Sequence, residues 1–393
     1  MPDLPVNSRS IRLALSDAAA ANWAEFHPVA ALCCLPAIAI LLGAGLVLGW
    51  PQAALAATSG ALIAGFGFFQ QVSNRRGSVM LLVVAGMSVS AAIGTLVNVS
   101  WPLETACVAL WGFAIGLATL VSMPLSWVVM QCAIALIVSA AIPAGWADAV
   151  YRALLIGAGG ILQTILMEVV VICFPRLEEV VNRPGAEVGA LRTRMLLDSV
   201  RQAFAWHAAG LRFPCILAVA SALGNLLYHI IAIPDGWWVP MTMLLVMRPV
   251  VRETSSRTVG RIGGTIVGAC AVTLLLAVMR PSHGMMAAMI VVTVWGCFAS
   301  QRVNYALLTV CVTGYVALLF AYAGLPEVAV ALYRLVATVL GGVLAIAIHR
   351  SLLWLWYRWM GPDQNGDGGP LVIAATSPRQ TSAPSAAAAK PSA

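Results

Sequence analysis

The chain has 393 residues, of which 61% are hydrophobic and only 9% charged. Soluble domains average about 25% charged residues, so a water-soluble fold is excluded and a polytopic membrane protein is indicated. The net charge of +7 does not indicate nucleic acid, because the arginines fall at helix ends on one side, as the positive-inside rule demands.

Residues 1–27 lack a short apolar core followed by a cleavage site, so no secretory signal is expected. This segment reads as cytoplasmic or interfacial. Over 8–24 an amphipathic helix is predicted: Ile11, Leu15 and Ala18 share one face, with Arg9 and Arg12 elsewhere. A first membrane unit covers 28–174, with spans near 28–49, 52–71, 78–97, 104–121, 125–142 and 147–173. Each is close to the roughly 20 residues that cross about 30 Å of hydrocarbon. Residues 175–210 form a polar linker, with an amphipathic helix over 187–206. A second unit covers 211–353, with spans near 211–233, 237–249, 258–279, 284–300, 303–323 and 328–352. The segment 354–393 opens with a cytoplasmic collar of Trp354, Trp356, Tyr357, Arg358 and Trp359. Beyond Gly361, its Gly, Pro, Ser and Ala content predicts disorder.

The two units align with a near-constant offset. Trp23 pairs with Trp206, Thr58 with Thr242, Trp111-Gly112 with Trp295-Gly296, Tyr151-Arg152 with Tyr333-Arg334, and Gly159-Gly160 with Gly341-Gly342. Arg76 falls opposite Arg261. The expected fold is therefore an all-α polytopic membrane protein with about twelve transmembrane helices, arranged as two parallel six-helix repeats. Placing both termini in the cytoplasm leaves only Arg152, Arg280 and Arg334 at or near the outer side.

Within this frame a few residues carry chemistry. Arg152 and Arg334 occupy matching positions, where a guanidinium pair can grip a carboxylate. The bland alternative is two snorkelling arginines paired with Asp148 and Glu327. Glu168 shares a face with Arg152, Gly160 and Thr164, and is a candidate for proton exchange. His229, near the outer end of its span, is a second. Arg248, Arg252, Arg257 and Arg261 crowd one inner turn, as a topogenic loop or a vestibule for anions. Gly260, Gly264 and Gly268 form a stripe at spacing four, matched by Gly86, Ser90 and Gly94 in the first unit. Such stripes let helices approach closely in lipid, and the two striped helices are expected to pack close in the bundle, near the transport path. Trp237 and Trp238 read as interface anchors. The nine cysteines show no CxxC and no His/Cys cluster at metal spacing, so neither metal nor disulfide framework is expected. No paired carboxylates, nucleophile triad or phosphate loop point to an enzyme, and no cofactor is expected.

Trp238, Pro240 and Thr242, followed by a basic turn and then Arg257, Arg261, Gly264, Thr265 and Gly268, make a W-x-P-x-T and R-x-x-G-T-x-x-G pattern. It resembles the FUSC family, the fusaric acid resistance and aromatic acid exporter proteins. The resemblance implies a bacterial inner-membrane exporter of aromatic carboxylic acids or similar organic anions, driven by the proton gradient. It adds Thr242 to Arg152, Arg334, Arg248, Arg257 and Arg261 as the expected substrate-binding set. An organic-anion channel, like the plant malate transporters, and a non-transporting scaffold are the alternatives. The partners to be considered are the organic anion, the lipid bilayer, a second copy of the chain and a periplasmic adaptor protein. Longer family members carry cytoplasmic domains after each membrane half, where this chain has only a short linker and tail.

Overall fold

The computed structural model describes residues 8–70, 76–142, 144–181, 210–232, 234–324 and 327–360. The expected helix over 187–206, most of the turn at Asn74–Arg76 and the tail from 361 lie outside the described residues. All regular structure among the described residues is helical. Helix α1 (Ser8–Ala19) and a short turn at Trp23–Glu25 precede α2 (Pro28–Cys33) and α3 (Leu35–Leu48), which form one kinked span at Pro36. The first half continues with α4 (Pro51–Phe68), α5 (Arg76–Val97), α6 (Trp101–Val121), α7 (Met123–Ala140) and α8 (Trp146–Cys173). After the short α9 (Arg176–Val181), the second half holds α10 (Arg212–Ile231), α11 (Trp238–Val246), α12 (Val251–Met279), α13 (His283–Ser300), α14 (Tyr305–Tyr322) and α15 (Glu327–Met360). Local chemistry sets many of the starts. Proline sits in the first turn of α2, α3, α4, α6 and α7, where its missing N–H is not needed. Ser122, Ser282 and Asn304 cap α7, α13 and α14 by accepting from Leu125, Met285 and Leu307 N–H.

Among the described residues ten helices are long and apolar enough to cross a membrane, not the twelve expected. The two that fall short are α4 and α11, the second helix of each half. Helix α11 has nine residues, about 14 Å of rise, and is buried along almost its whole length. Helix α4 is rich in Ala, Gly, Ser and Thr and buries most of its length. Helix α11 thus falls short by length, and both helices face protein rather than lipid along most of their residues.

The same helix pairings occur in both halves. Helix α4 packs on α8, and α5 packs on α7 and α8; correspondingly, α11 packs on α15, and α12 packs on α14 and α15. The halves meet mainly where α6 lies along α10 and α3 lies along α13. Close approach within each half requires glycine. A Cβ on Gly159 would strike the Ala57 carbonyl, and one on Gly341 would lie 2.7 Å from the Val239 carbonyl. The glycine stripes face the fifth helix of their own half, not each other. Gly86 meets Cys132 and Gly94 meets the Leu136 carbonyl on α7, where Ser90 also lies buried. Gly260, Gly264 and Gly268 run along α14.

Tryptophans mark the two surfaces. Trp50, Trp101 and Trp146 are exposed at one set of helix ends, and Trp23, Trp354 and Trp359 at the other, as aromatic belts require. Trp238 departs from the expected anchor role. It is buried, stacked on Trp237 at 4.0 Å, and its other face lies 4.2 Å from the Arg334 guanidinium. The short α11 sinks this indole into the bundle, and a cation replaces the headgroup layer as its neighbour.

Candidate functional site

Between the halves lies a cavity of about 780 Å³. Its walls come from the C-terminal ends of α4 and α11 and the N-terminal parts of α7, α12 and α14. Residues Asp17–Ala20, at the end of α1, border its mouth. Three helix N-termini thus converge there, each with a partial positive charge. The α12 terminus has no side-chain cap on its N–H groups.

Four arginines line this space: Arg248, Arg257, Arg261 and Arg302. Arg302 is engaged, bonding the carbonyls of Val181 and Phe69 and lying 3.5 Å from Glu25. Arg257 stacks 4.8 Å from the Tyr305 ring. Arg248 donates to the Met247 carbonyl. Burial, followed by the neighbouring Arg257 charge, pulls the Arg248 pKa below the usual arginine value. Arg261 lies deepest, roughly three turns into α12. It is 3% exposed, and its Nε and Nη2 have no hydrogen-bond partner among the described residues. Arg252, the fourth arginine of the turn, points away and pairs with Asp17 at 2.8 Å. That pair pins α1 to the cavity mouth, aided by Asn304, which donates to the carbonyls of Ala18 and Ala20.

The two matched arginines have different environments. Arg334 is 2% exposed, donates to Thr313 Oγ1 at 3.3 Å, and keeps Nε and Nη1 unpartnered among the described residues. The Arg261 charge reaches it. Trp238 lies against the Arg334 guanidinium; it and Thr242, Thr265 and Thr338 are buried, each with a polar atom unpartnered among the described residues. Arg152 is instead satisfied, donating to Thr95 Oγ1 and the Ser139 carbonyl, each at 2.9 Å. It ties the end of α7 to α5 and α8 and does not line the cavity. Arg152→Ala is expected to lower the melting temperature, since freed buried carbonyls cost about 1–3 kcal/mol, while transport per folded molecule persists. Measuring both on purified, reconstituted protein checks this, and a transport loss without destabilisation would refute it.

Arg76, paired with Arg261 in the sequence, lies outside the cavity lining. It opens α5, bonds the Phe68 carbonyl and stacks on the Phe68 ring, at the very start of its helix rather than within it. Glu168 is exposed on α8, its carboxylate against Gly77, outside the cavity. His229 lies at the far end of the bundle, bonded to the buried Glu104 at 3.1 Å. Glu104 is not among the candidates read from the sequence. Its signal was present: it is the lone acid in the apolar run Trp101–Val121. The cavity's polar wall includes Gln70, Gln131, Asn304, Tyr305 and Thr309; of these Gln70 and Gln131 stand out in the sequence as uncharged polar residues in or beside apolar spans.

Fold and cavity together define a multi-span α-helical membrane protein with a cationic pocket between its halves. Residues 217–348, about a third of the chain, match the family described as fusaric acid resistance protein-like. It is 29% identical over 148 residues to the uncharacterized protein YhfK of Escherichia coli, a match covering 38% of this chain and 20% of that protein. It is 25% identical over 157 residues to an uncharacterized protein of Synechocystis, covering 40% of this chain and 21% of that protein. The chain thus spans about a fifth of the length of these curated relatives. No solved structure matches it.

Proposed function

We propose that this chain is a secondary exporter of aromatic carboxylic acids or related organic anions, driven by the proton gradient. The observation that carries the reading is the buried, carboxylate-free pair Arg261 and Arg334, with the cavity leading to the first of them. An unpaired buried charge is costly, and an organic carboxylate entering between three helix N-termini offsets that cost. Trp238, Trp127 and Phe66 supply aromatic surface near the path. The recurrent helix pairings support two parallel six-helix repeats, with the site at their interface as in other repeat-built transporters. The arginine distribution supports a cytoplasmic mouth and cytoplasmic termini in a bacterial inner membrane.

The test is uptake of a hydroxybenzoate panel into inverted vesicles, with and without an uncoupler. Accumulation that collapses with the gradient is expected. Current that follows the anion gradient and ignores the uncoupler would instead make the protein a channel. If no organic acid moves, the transport reading is wrong.

A further inference from the structure

The two halves are joined on one side by α6 and α10. Close contacts make this seam tight: Gly112 lies against Ser221 and Leu217, and Gly116 lies against Pro214. At the end of the seam remote from the cavity, Glu104 in the first turn of α6 meets His229 in the last turn of α10 at 3.1 Å. The remoteness follows from topology. The cavity mouth takes the start of α7, which adjoins the other end of α6, and about 30 Å of helix lies between.

The pair is graded in access. The Glu104 side chain is 2% exposed and the His229 side chain 24%. Tyr228 lies 4.1 Å from the imidazole, ring centroid to ring centroid. Beside them Asn225 donates to Thr105 Oγ1 at 2.9 Å, and its own Oδ1 is buried without a partner among the described residues. The titratable neighbours are Tyr228 on α10 and Cys107, one turn along α6. Among the described residues no arginine or lysine forms an ion pair with Glu104. The other seam between the halves, α3 on α13, buries Ile38, Leu42, Ile290 and Val294; the Glu25–His27 pair at its end is looser, at 3.8 Å, and its carboxylate also lies 3.5 Å from Arg302.

We infer that Glu104 and His229 form the proton site of the exporter, entered from the side opposite the arginine cavity. The inference rests on the reading proposed above and names the groups that couple it to protons. Of the two residues expected from the sequence, it retains His229, replaces Glu168 with Glu104 and places the site on a moving seam. At rest the pair shares one proton between carboxylate and imidazole. A second proton, arriving through the more exposed His229, leaves a neutral carboxyl beside an imidazolium. The attraction that ties α6 to α10 is thereby lost, and the halves are freed to shift. The proton leaves on the other side, and the pair re-forms with one. A charge change at a packed seam acts on two arrangements of that seam, which is what coupling requires.

The experiment uses the full chain in inverted vesicles with a radiolabelled hydroxybenzoate transported by wild type. Two modes are compared: accumulation driven by an imposed proton gradient, and substrate counterflow at equal pH on both sides. For Glu104→Gln and His229→Gln, accumulation is expected to fall by about 5- to 150-fold, the usual span of a coupling free energy. Counterflow should persist and lose its pH dependence. Glutamine keeps hydrogen-bonding capacity at either position, and counterflow itself reports that the variant is folded. If Glu104→Gln fails to fold, His229→Gln alone decides, since that side chain is partly open to solvent. Wild-type accumulation in the variants, or an unchanged counterflow pH profile, overturns the inference. Absence of both modes in wild type would instead sink the exporter reading itself.

Discussion

Replacing Arg261 with methionine is expected to abolish concentrative transport while leaving the protein at least as stable. The guanidinium is buried, and two of its nitrogens are unpartnered among the described residues. Exchanging buried charge for an apolar side chain of similar volume is often neutral or stabilising, by about 1–4 kcal/mol. A charge-assisted hydrogen bond to substrate contributes about 1.5–3 kcal/mol, so each bond lost weakens apparent affinity by roughly ten- to a hundredfold. Arg334→Met should behave alike. Lysine at position 261 should restore part of the affinity, keeping the charge but losing the bidentate grip. The check is a melting temperature in detergent beside the substrate dependence of uptake. A variant with normal uptake would remove Arg261 from the path. One that melts much lower with parallel loss of uptake would mark it as structural.

The second large effect is on assembly. A Cβ at Gly264 would lie 2.6 Å from the Ala306 carbonyl and 2.7 Å from Thr309 Cβ. Real side chains do not tolerate such distances to backbone, so α12 and α14 would have to part. Gly264→Leu is therefore expected to cost more than the about 1–3 kcal/mol typical of overpacking and to remove folded protein from the membrane. Gly263 is the internal control, because a Cβ there meets nothing within 4 Å. Gly263→Ala should be neutral, or slightly stabilising through helix propensity. Fluorescence-detected size-exclusion of both variants distinguishes the cases, and a monodisperse, heat-stable Gly264→Leu protein would contradict the packing argument. Loss of Arg248 or Arg257 should harm folding less, since these side chains face the cavity.

The amphipathic α1 shows what can be read locally and what cannot. Its apolar periodicity was legible at Ile11, Leu15 and Ala18, because a helix face depends only on spacing along the chain. Its partner was not legible. The bond from Asp17 to Arg252 joins residues far apart in sequence, and no local pattern encodes that encounter. The site behaves the same way. Arg248, Arg257 and Arg261 stood out as a cluster because they share one turn and one helix start. That Arg334 lies within reach of Arg261, while Arg152 is spent on the end of α7, depends on which neighbours each helix packs against. Two residues at matching positions thus reached opposite fates.

The sequence alone determined that this chain is helical and multi-span, and where most spans begin and end. These properties follow from sums over neighbouring residues: hydropathy over a bilayer thickness, proline at helix starts, arginine at helix ends. The tertiary structure decided that α11 is a buried nine-residue helix, that Trp238 serves a cation rather than a headgroup, and that the glycine stripes face α7 and α14. It also decided that a carboxylate of the first half meets an imidazole of the second. All of these arise from burial against distant segments, and burial is a property of the assembled bundle that no window of the sequence contains.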